Sequence, residues 1–186
     1  RSEQRILRNS YAAKSGIKQS FNLTQEQNIA VDAVSKAIKE KQQKTFLLQG
    51  VTGSGKTEVY LNLTAKTLAE GRQVLVLVPE IALTAQIVKR FQSWFDDCIA
   101  VVHSKLSASE RADVFYKIRT GESQILIGVR SAVFAPFSNL GLVIIDEEHD
   151  QSYKQEERPS YHAREVALHR AAYFNIPVVL GSATPS

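Results

Sequence analysis

The sequence predicts an α/β domain whose mainly parallel sheet is covered by helices on both faces, and two patterns carry that expectation. From Leu23 onward, segments of helical apolar period alternate with short β-rich runs bounded by breakers, which is the signature of βα units. Six such runs occur. Right-handed crossovers between parallel strands would gather the strand-to-helix loops along one edge of the sheet.

Taken in order, Ala30, Ala33, Val34, Ala37 and Ile38 recur at i, i+3, i+4, i+7 and i+8 and mark one buried helix face. Thr24 and Gln27 are placed to cap its start. Strands are expected at residues 46–49, 74–78, 99–102, 125–128, 142–145 and 178–180, each short and apolar. Helices are expected at 58–70, 83–95, 107–119 and 162–174. Ser107 and Glu110 fit a capping box, and Gly71 and Gly121 stand where helix C-caps fall.

At 186 residues the chain fits one domain with a full core. Its 44% apolar and 23% charged residues are those of a globular protein, and no apolar run approaches the roughly 18 residues of a membrane span. Cys98 is the single cysteine, so neither an internal disulfide nor a cysteine-rich zinc site is expected, and a reducing cytoplasm is the simplest setting. Residues 1–20 hold five basic side chains against one acid, which accounts for the whole formal charge of +4. That basic lead-in is either a contact for a nucleic-acid backbone or a solvated interdomain linker, leaving 21–186 as the folded unit. The lack of any methionine points to a piece of a longer protein.

Two loops carry the chemistry. Residues 50–57, GVTGSGKT, match G-x-x-x-x-G-K-[ST] between an expected strand and an expected helix. In that spacing Gly50, Thr52, Gly53, Ser54 and Gly55 bring backbone N–H groups to phosphate oxygens, Lys56 neutralises the β- and γ-oxygens, and Thr57 ligates magnesium. Residues 146–149, DEEH, follow an apolar run. Asp146 is placed to hold the magnesium through its water shell, and Glu147 to orient and partly deprotonate an attacking water. ATP and Mg2+ are therefore the expected ligands. His149 either senses the γ-phosphate state or packs and hydrogen-bonds in its loop.

Further phrases, PEIALTAQ at 79–86, GVRSAVFAPF at 128–137, the stretch DQSYKQEERPSYHARE at 150–165 and GSATPS at 181–186, stand in the order of superfamily 2 helicase motifs. Together with the two loops they resemble the PriA-type branch, the primosomal replication-restart helicases. The resemblance runs from about Leu23 to the last residue and implies a three-layer RecA-like P-loop NTPase domain, the first motor lobe of a 3′ to 5′ DNA helicase. It implies that Gln27 reads adenine, whereas the residues alone equally allow it to cap a helix. Pro79, Glu80, Thr84, Gln86, Arg130 and Ser131 are implied to line a single-strand track.

The resemblance further implies that the 150–165 stretch is an aromatic-rich loop linking DNA binding to hydrolysis. Its Tyr153, Lys154, Tyr161 and Arg164 suit stacking and phosphate contact; the other reading is a structural surface loop. Ser182 and Thr184 either tie nucleotide state to DNA grip or cap a following helix. Val129 departs from the small or hydroxyl residue common there in the family. Single-stranded and forked DNA, primosome and single-strand-binding proteins are the implied partners, with no membrane. A second RecA-like lobe, its arginine finger and a zinc region are expected outside this chain, so the isolated lobe is expected to bind nucleotide weakly and not to unwind. Rival readings are a double-strand translocase or remodeler, a metabolic kinase or GTPase, for which the guanine-reading N-K-x-D segment is lacking, and a non-catalytic binding module.

Overall fold

In the computed structural model, residues 23–51, 53–83, 85–95 and 98–183 are described. The basic lead-in, Thr52, Thr84 and Thr184 lie outside the described residues. Five α-helices and eight strands alternate along the rest: α1 (Gln25–Lys39), β1 (Thr45–Gln49), α2 (Lys56–Ala69), β2 (Gln73–Leu77), α3 (Ala85–Phe95), β3 (Ile99–Val102), α4 (Ala108–Thr120), β4 (Ile125–Gly128), β5 (Leu140–Ile145), β6 (Lys154–Gln155), β7 (Tyr161–His162), α5 (Ala163–Phe174) and β8 (Val178–Ser182). Short 3-10 turns at Arg130–Phe134 and Gln151–Tyr153 complete the set.

Six strands form one parallel sheet in the order β1-β8-β5-β2-β4-β3. Connections running from β1 toward β3 carry α2 and α3 on one face, and those returning carry α4, the Arg130–Phe134 turn and α5 on the other. A constant crossover hand requires that division. Alternation within a strand then splits the core in two. Val74, Val76, Leu142 and Ile144 pack against α1, α2 and α3, while Leu75, Leu77, Val143 and Ile145 pack against the opposite helices. Because β2 and β5 are buried on both faces, they read as unbroken apolar runs.

Every expected strand and helix is present, with ends moved by a few residues. Both capping boxes form, at Thr24/Gln27 and Ser107/Glu110, and Gly121 closes α4 in the left-handed conformation. The buried stripe of α1 differs from expectation. It consists of Val31, Val34, Ser35, Ala37 and Ile38, and Ala33 is exposed. Valine buries more apolar area than alanine, so the helix turns Val31 inward, and the Ser35 hydroxyl donates to the Val31 carbonyl, 2.5 Å away. The antiparallel β6–β7 pair is new; two-residue strands are too short to show a period. Among the described residues no helix is long and apolar enough to cross a membrane.

Candidate functional site

The chain leaves β1 at Gln49, turns through Gly50 to Gly55 and enters α2 at Lys56. Gly53 and Gly55 take φ of +82° and +83°, a region that side-chain-bearing residues seldom enter. Gly55 has a second reason to lack a side chain, since a Cβ there would lie 2.4 Å from Gln27 Nε2. The turn presents the N-terminus of α2, where backbone N–H groups and the helix dipole favour anions. Lys56 Nζ donates to the Gly50 carbonyl at 2.6 Å and stands 3.6 Å from Glu147 Oε1. Lys56 and Glu147 thus face each other across one cleft. That cleft, of about 870 Å³, is bounded by Ser54, Lys56, Thr57, Asp146 and Glu147, with Gln86, Lys89 and Arg90 of α3 along its far side.

Strand β5 delivers Asp146, whose N–H donates to the Leu77 carbonyl at 2.9 Å. Two buried tyrosines hold this residue: Tyr60 Oη donates to its Oδ1 at 2.8 Å, and Tyr153 Oη to its backbone carbonyl at 2.6 Å. Burial is the main force on Asp146 and raises its carboxyl above the ordinary aspartate range, against the opposing pull of the Tyr60 hydrogen bond. Burial, with the Asp146 charge, also raises both tyrosines. Their hydroxyls therefore remain protonated donors at neutral pH.

The next residues tie the acids to the end of β8. Glu147 has φ +44°, uncommon outside glycine and costing on the order of 1 kcal/mol or more, and its Oε2 accepts from the Ala183 N–H at 3.2 Å. Glu148 donates its N–H to the Gly181 carbonyl at 2.9 Å, and the Gly50 N–H donates to the Ser182 carbonyl at 3.1 Å. The Glu148 side chain is buried and accepts from Arg164 Nη1 at 2.6 Å. His149 is exposed beyond them.

Several expected site residues are placed differently from the sequence reading. Tyr153 is fully buried, so it is not a stacking surface; its ring packs in the core and its hydroxyl serves Asp146. Pro79 is also buried and accepts from the Ala82 and Leu83 N–H groups, which leaves it no track-facing surface. Arg164 pairs with Glu148 and Glu165, so its charge is already committed. Gln86 instead lines the cleft with Lys56 and Glu147, close to the Arg90–Glu58 pair that joins α3 to α2 at 2.5 Å. Gln27 caps α1 through Oε1, which accepts from the Thr24 N–H at 2.9 Å, and reaches the Ser54 carbonyl through Nε2 at 3.1 Å. Both ends of the amide are engaged, which favours capping over base reading.

Glu80 and Lys154 are exposed, Lys154 beside Glu156 at 2.8 Å, and Ser131 is half-buried. Arg130 Nη1 donates to the Lys154 carbonyl at 3.2 Å. Ser182 is buried at the end of β8. The sequence reading missed Tyr60, hidden within an ordinary apolar helix face. It also missed Phe134, 52% exposed and packed edge-on against Tyr161 with centroids 4.9 Å apart. Arg130 and Arg111 flank that pair closely enough for their charges to oppose the upward push of burial on the Tyr161 hydroxyl. An exposed aromatic with two guanidinium groups suits a base and its phosphates.

The donor set fits magnesium. Mg2+ keeps several waters and takes one or two carboxylates together with substrate phosphates, not a cage of protein ligands. Asp146 has one carboxylate oxygen on Tyr60 and lines a cleft shared with Thr57. No group of three or more His, Cys, Asp or Glu suited to a metal occurs among the described residues.

Comparison with known proteins follows the same lines. The chain is 50% identical over its whole length to the replication restart protein PriA of Bacillus subtilis, of which it covers 23%. It is 52% identical over 88% of its length to the PriA protein of Chlamydia trachomatis, covering 22% of it. The chain thus spans about a quarter of the length of the curated relatives it matches. Among solved structures, RecG bound to a three-way DNA junction superposes with a TM-score of 0.66 at 25% identity, over 98% of this chain and 23% of that one. The SWI2/SNF2 ATPase core of Sulfolobus solfataricus in complex with dsDNA gives 0.58 at 16% identity, over 89% and 32%, and shows the shared RecA-like fold alone. The DEAD/DEAH box helicase family model matches residues 24–186, and this chain belongs to that family.

Proposed function

We propose that residues 21–186 are the ATP-binding motor lobe of a 3′ to 5′ DNA helicase of replication restart, working in the bacterial cytosol on single-stranded and forked DNA. One observation carries the reading: Lys56 and Glu147 face each other at 3.6 Å, and the same acid is bonded to Ala183 at the end of β8. Phosphate loop, hydrolytic acid and the GSATPS segment therefore share one hydrogen-bonded unit. The relatives named replication restart proteins support the biological setting.

In this reading the turn at 50–55 and the N-terminus of α2 bind the phosphates, and Lys56 leaves Gly50 to neutralise the β- and γ-oxygens. Glu147, freed from Lys56, orients the attacking water and takes its proton. Thr57 and Asp146 would hold Mg2+, which supplies charge neutralisation on the phosphate oxygens. A change at Glu147 passes through Ala183 to β8, and one at Asp146 passes through Tyr153 to the loop ending at Tyr161, where Phe134, Arg111 and Arg130 complete a surface for a single strand. A second RecA-like lobe outside this chain contributes the remaining catalytic charge. Primosome and single-strand-binding proteins are the expected partners of the whole machine.

The test is Lys56→Ala in the longer protein that carries this lobe. Hydrolysis stimulated by single-stranded DNA should disappear, and retained hydrolysis would remove the phosphate assignment. Comparing single strands, forks and blunt duplex as activators separates this reading from a double-strand translocase, which responds to the blunt duplex.

A further inference from the structure

Tyr60 lies on the face of α2 turned to the sheet and is fully buried, and its hydroxyl donates to Asp146 Oδ1 at 2.8 Å. The neighbouring backbone of β8 is shaped to admit that hydroxyl. A Cβ placed on Gly181 would lie 1.8 Å from Tyr60 Oη, 3.1 Å from Tyr60 Cζ and 2.9 Å from Asp146 Oδ1. Gly181 is in ordinary strand backbone, since it is not among the glycines of positive φ, so the close approach, and not a special backbone conformation, demands glycine there. Three elements, the helix of the phosphate loop, the strand end that bears the acid and the strand that leads into GSATPS, converge on one hydroxyl.

We infer that Tyr60 is a positioning residue: by holding Oδ1 of Asp146 it fixes the carboxylate rotamer and turns the other oxygen to the metal of a bound nucleotide. Gly181 is the residue that makes room for it. The inference rests on the nucleotide–metal reading of the cleft. A carboxylate on a terminal χ torsion swings over a broad range, and an outer hydrogen bond that removes this freedom characteristically governs metal affinity. Tyr153, which bonds the backbone carbonyl of the same residue, fixes the main chain and leaves the carboxylate orientation to Tyr60.

The experiment uses the longer protein with ADP and Mn2+, following Mn2+ affinity of the ADP complex by electron paramagnetic resonance and metal-free ADP affinity separately. Tyr60→Phe should weaken Mn2+ binding about 10-fold or more while metal-free ADP binding stays at the parent value. Unchanged Mn2+ affinity, or an equal loss of metal-free ADP binding, would overturn the positioning role. Asp146→Asn is the control for the underlying reading: if it keeps parent Mn2+ affinity, the metal assignment itself fails and Tyr60 with it. A second pair keeps the claim independent of one variant. Gly181→Ala displaces the hydroxyl, so adding Tyr60→Phe to it should cost Mn2+ affinity nothing further; a full additive loss would overturn the proposal.

Discussion

Glu147 divides its carboxylate between Lys56 and the Ala183 N–H while its backbone sits at φ +44°. Strain of that kind survives only where surrounding bonds over-determine it, and here they come from Lys56 and from the end of β8. Glu147→Gln keeps an acceptor for Ala183 but cannot take a proton. ATP should remain bound while turnover falls about 100-fold or more; nucleotide binding and single-turnover hydrolysis check this, and normal hydrolysis would end the assignment. Tyr153 is the residue where burial reverses an expectation. Tyr153→Phe leaves the Asp146 carbonyl without its buried donor, a loss of about 1–2 kcal/mol, so Tm should fall by about 2–8 °C. An unchanged Tm would show that water replaces the hydroxyl.

At the level of elements, caps and the Arg90–Glu58 link between α3 and α2 frame the cleft. The α1 capping box serves twice, because Gln27 also reaches the Ser54 carbonyl, so the first helix braces the turn that leads into α2. The α4 box is a simpler case. Hydrogen bonds from the Ser107 backbone and hydroxyl hold Glu110 below the ordinary glutamate range. A depressed carboxylate stabilises above its unfolded pKa and ceases to do so as pH falls through its folded pKa. Glu110→Gln should therefore lower Tm near pH 7, with the gap closing as pH drops below the carboxylate range; thermal melts across pH 3–7 check it. A gap that widened in acid would reverse the assignment.

At the scale of the whole molecule, the described residues present the cleft between Lys56 and Glu147 and an aromatic–cationic surface at Phe134 and Tyr161. In the longer protein, Phe134→Ala with Tyr161→Ala removes the exposed pair, and stacking is worth about 1–3 kcal/mol per base. Single-strand affinity and DNA-stimulated hydrolysis should fall more than basal hydrolysis, as measured by anisotropy and ATPase assays; equal losses would make the pair structural. Catalytic charge supplied from a second lobe is worth on the order of a thousandfold or more in related phosphoryl transfers. The 186-residue chain alone should accordingly hydrolyse ATP feebly and unwind no duplex, and strand separation by it would refute that expectation.

The sequence by itself determined the sheet, the helices, both capping boxes and the pairing of GVTGSGKT with DEEH, because each rests on local period, turn chemistry or fixed spacing within a few residues of itself. Only the tertiary structure decided which side chains those loops meet. Tyr60 and Tyr153 look alike in sequence as unremarkable aromatics, yet both end on Asp146, 86 and 7 residues away. Gln86, set in a phrase that resembles a DNA motif, lines the cleft with Lys56 and Glu147, and Phe134 emerges as an exposed aromatic beside Tyr161. Such partnerships depend on strand order and on which face each crossover covers, and neither is written in any single segment of the chain.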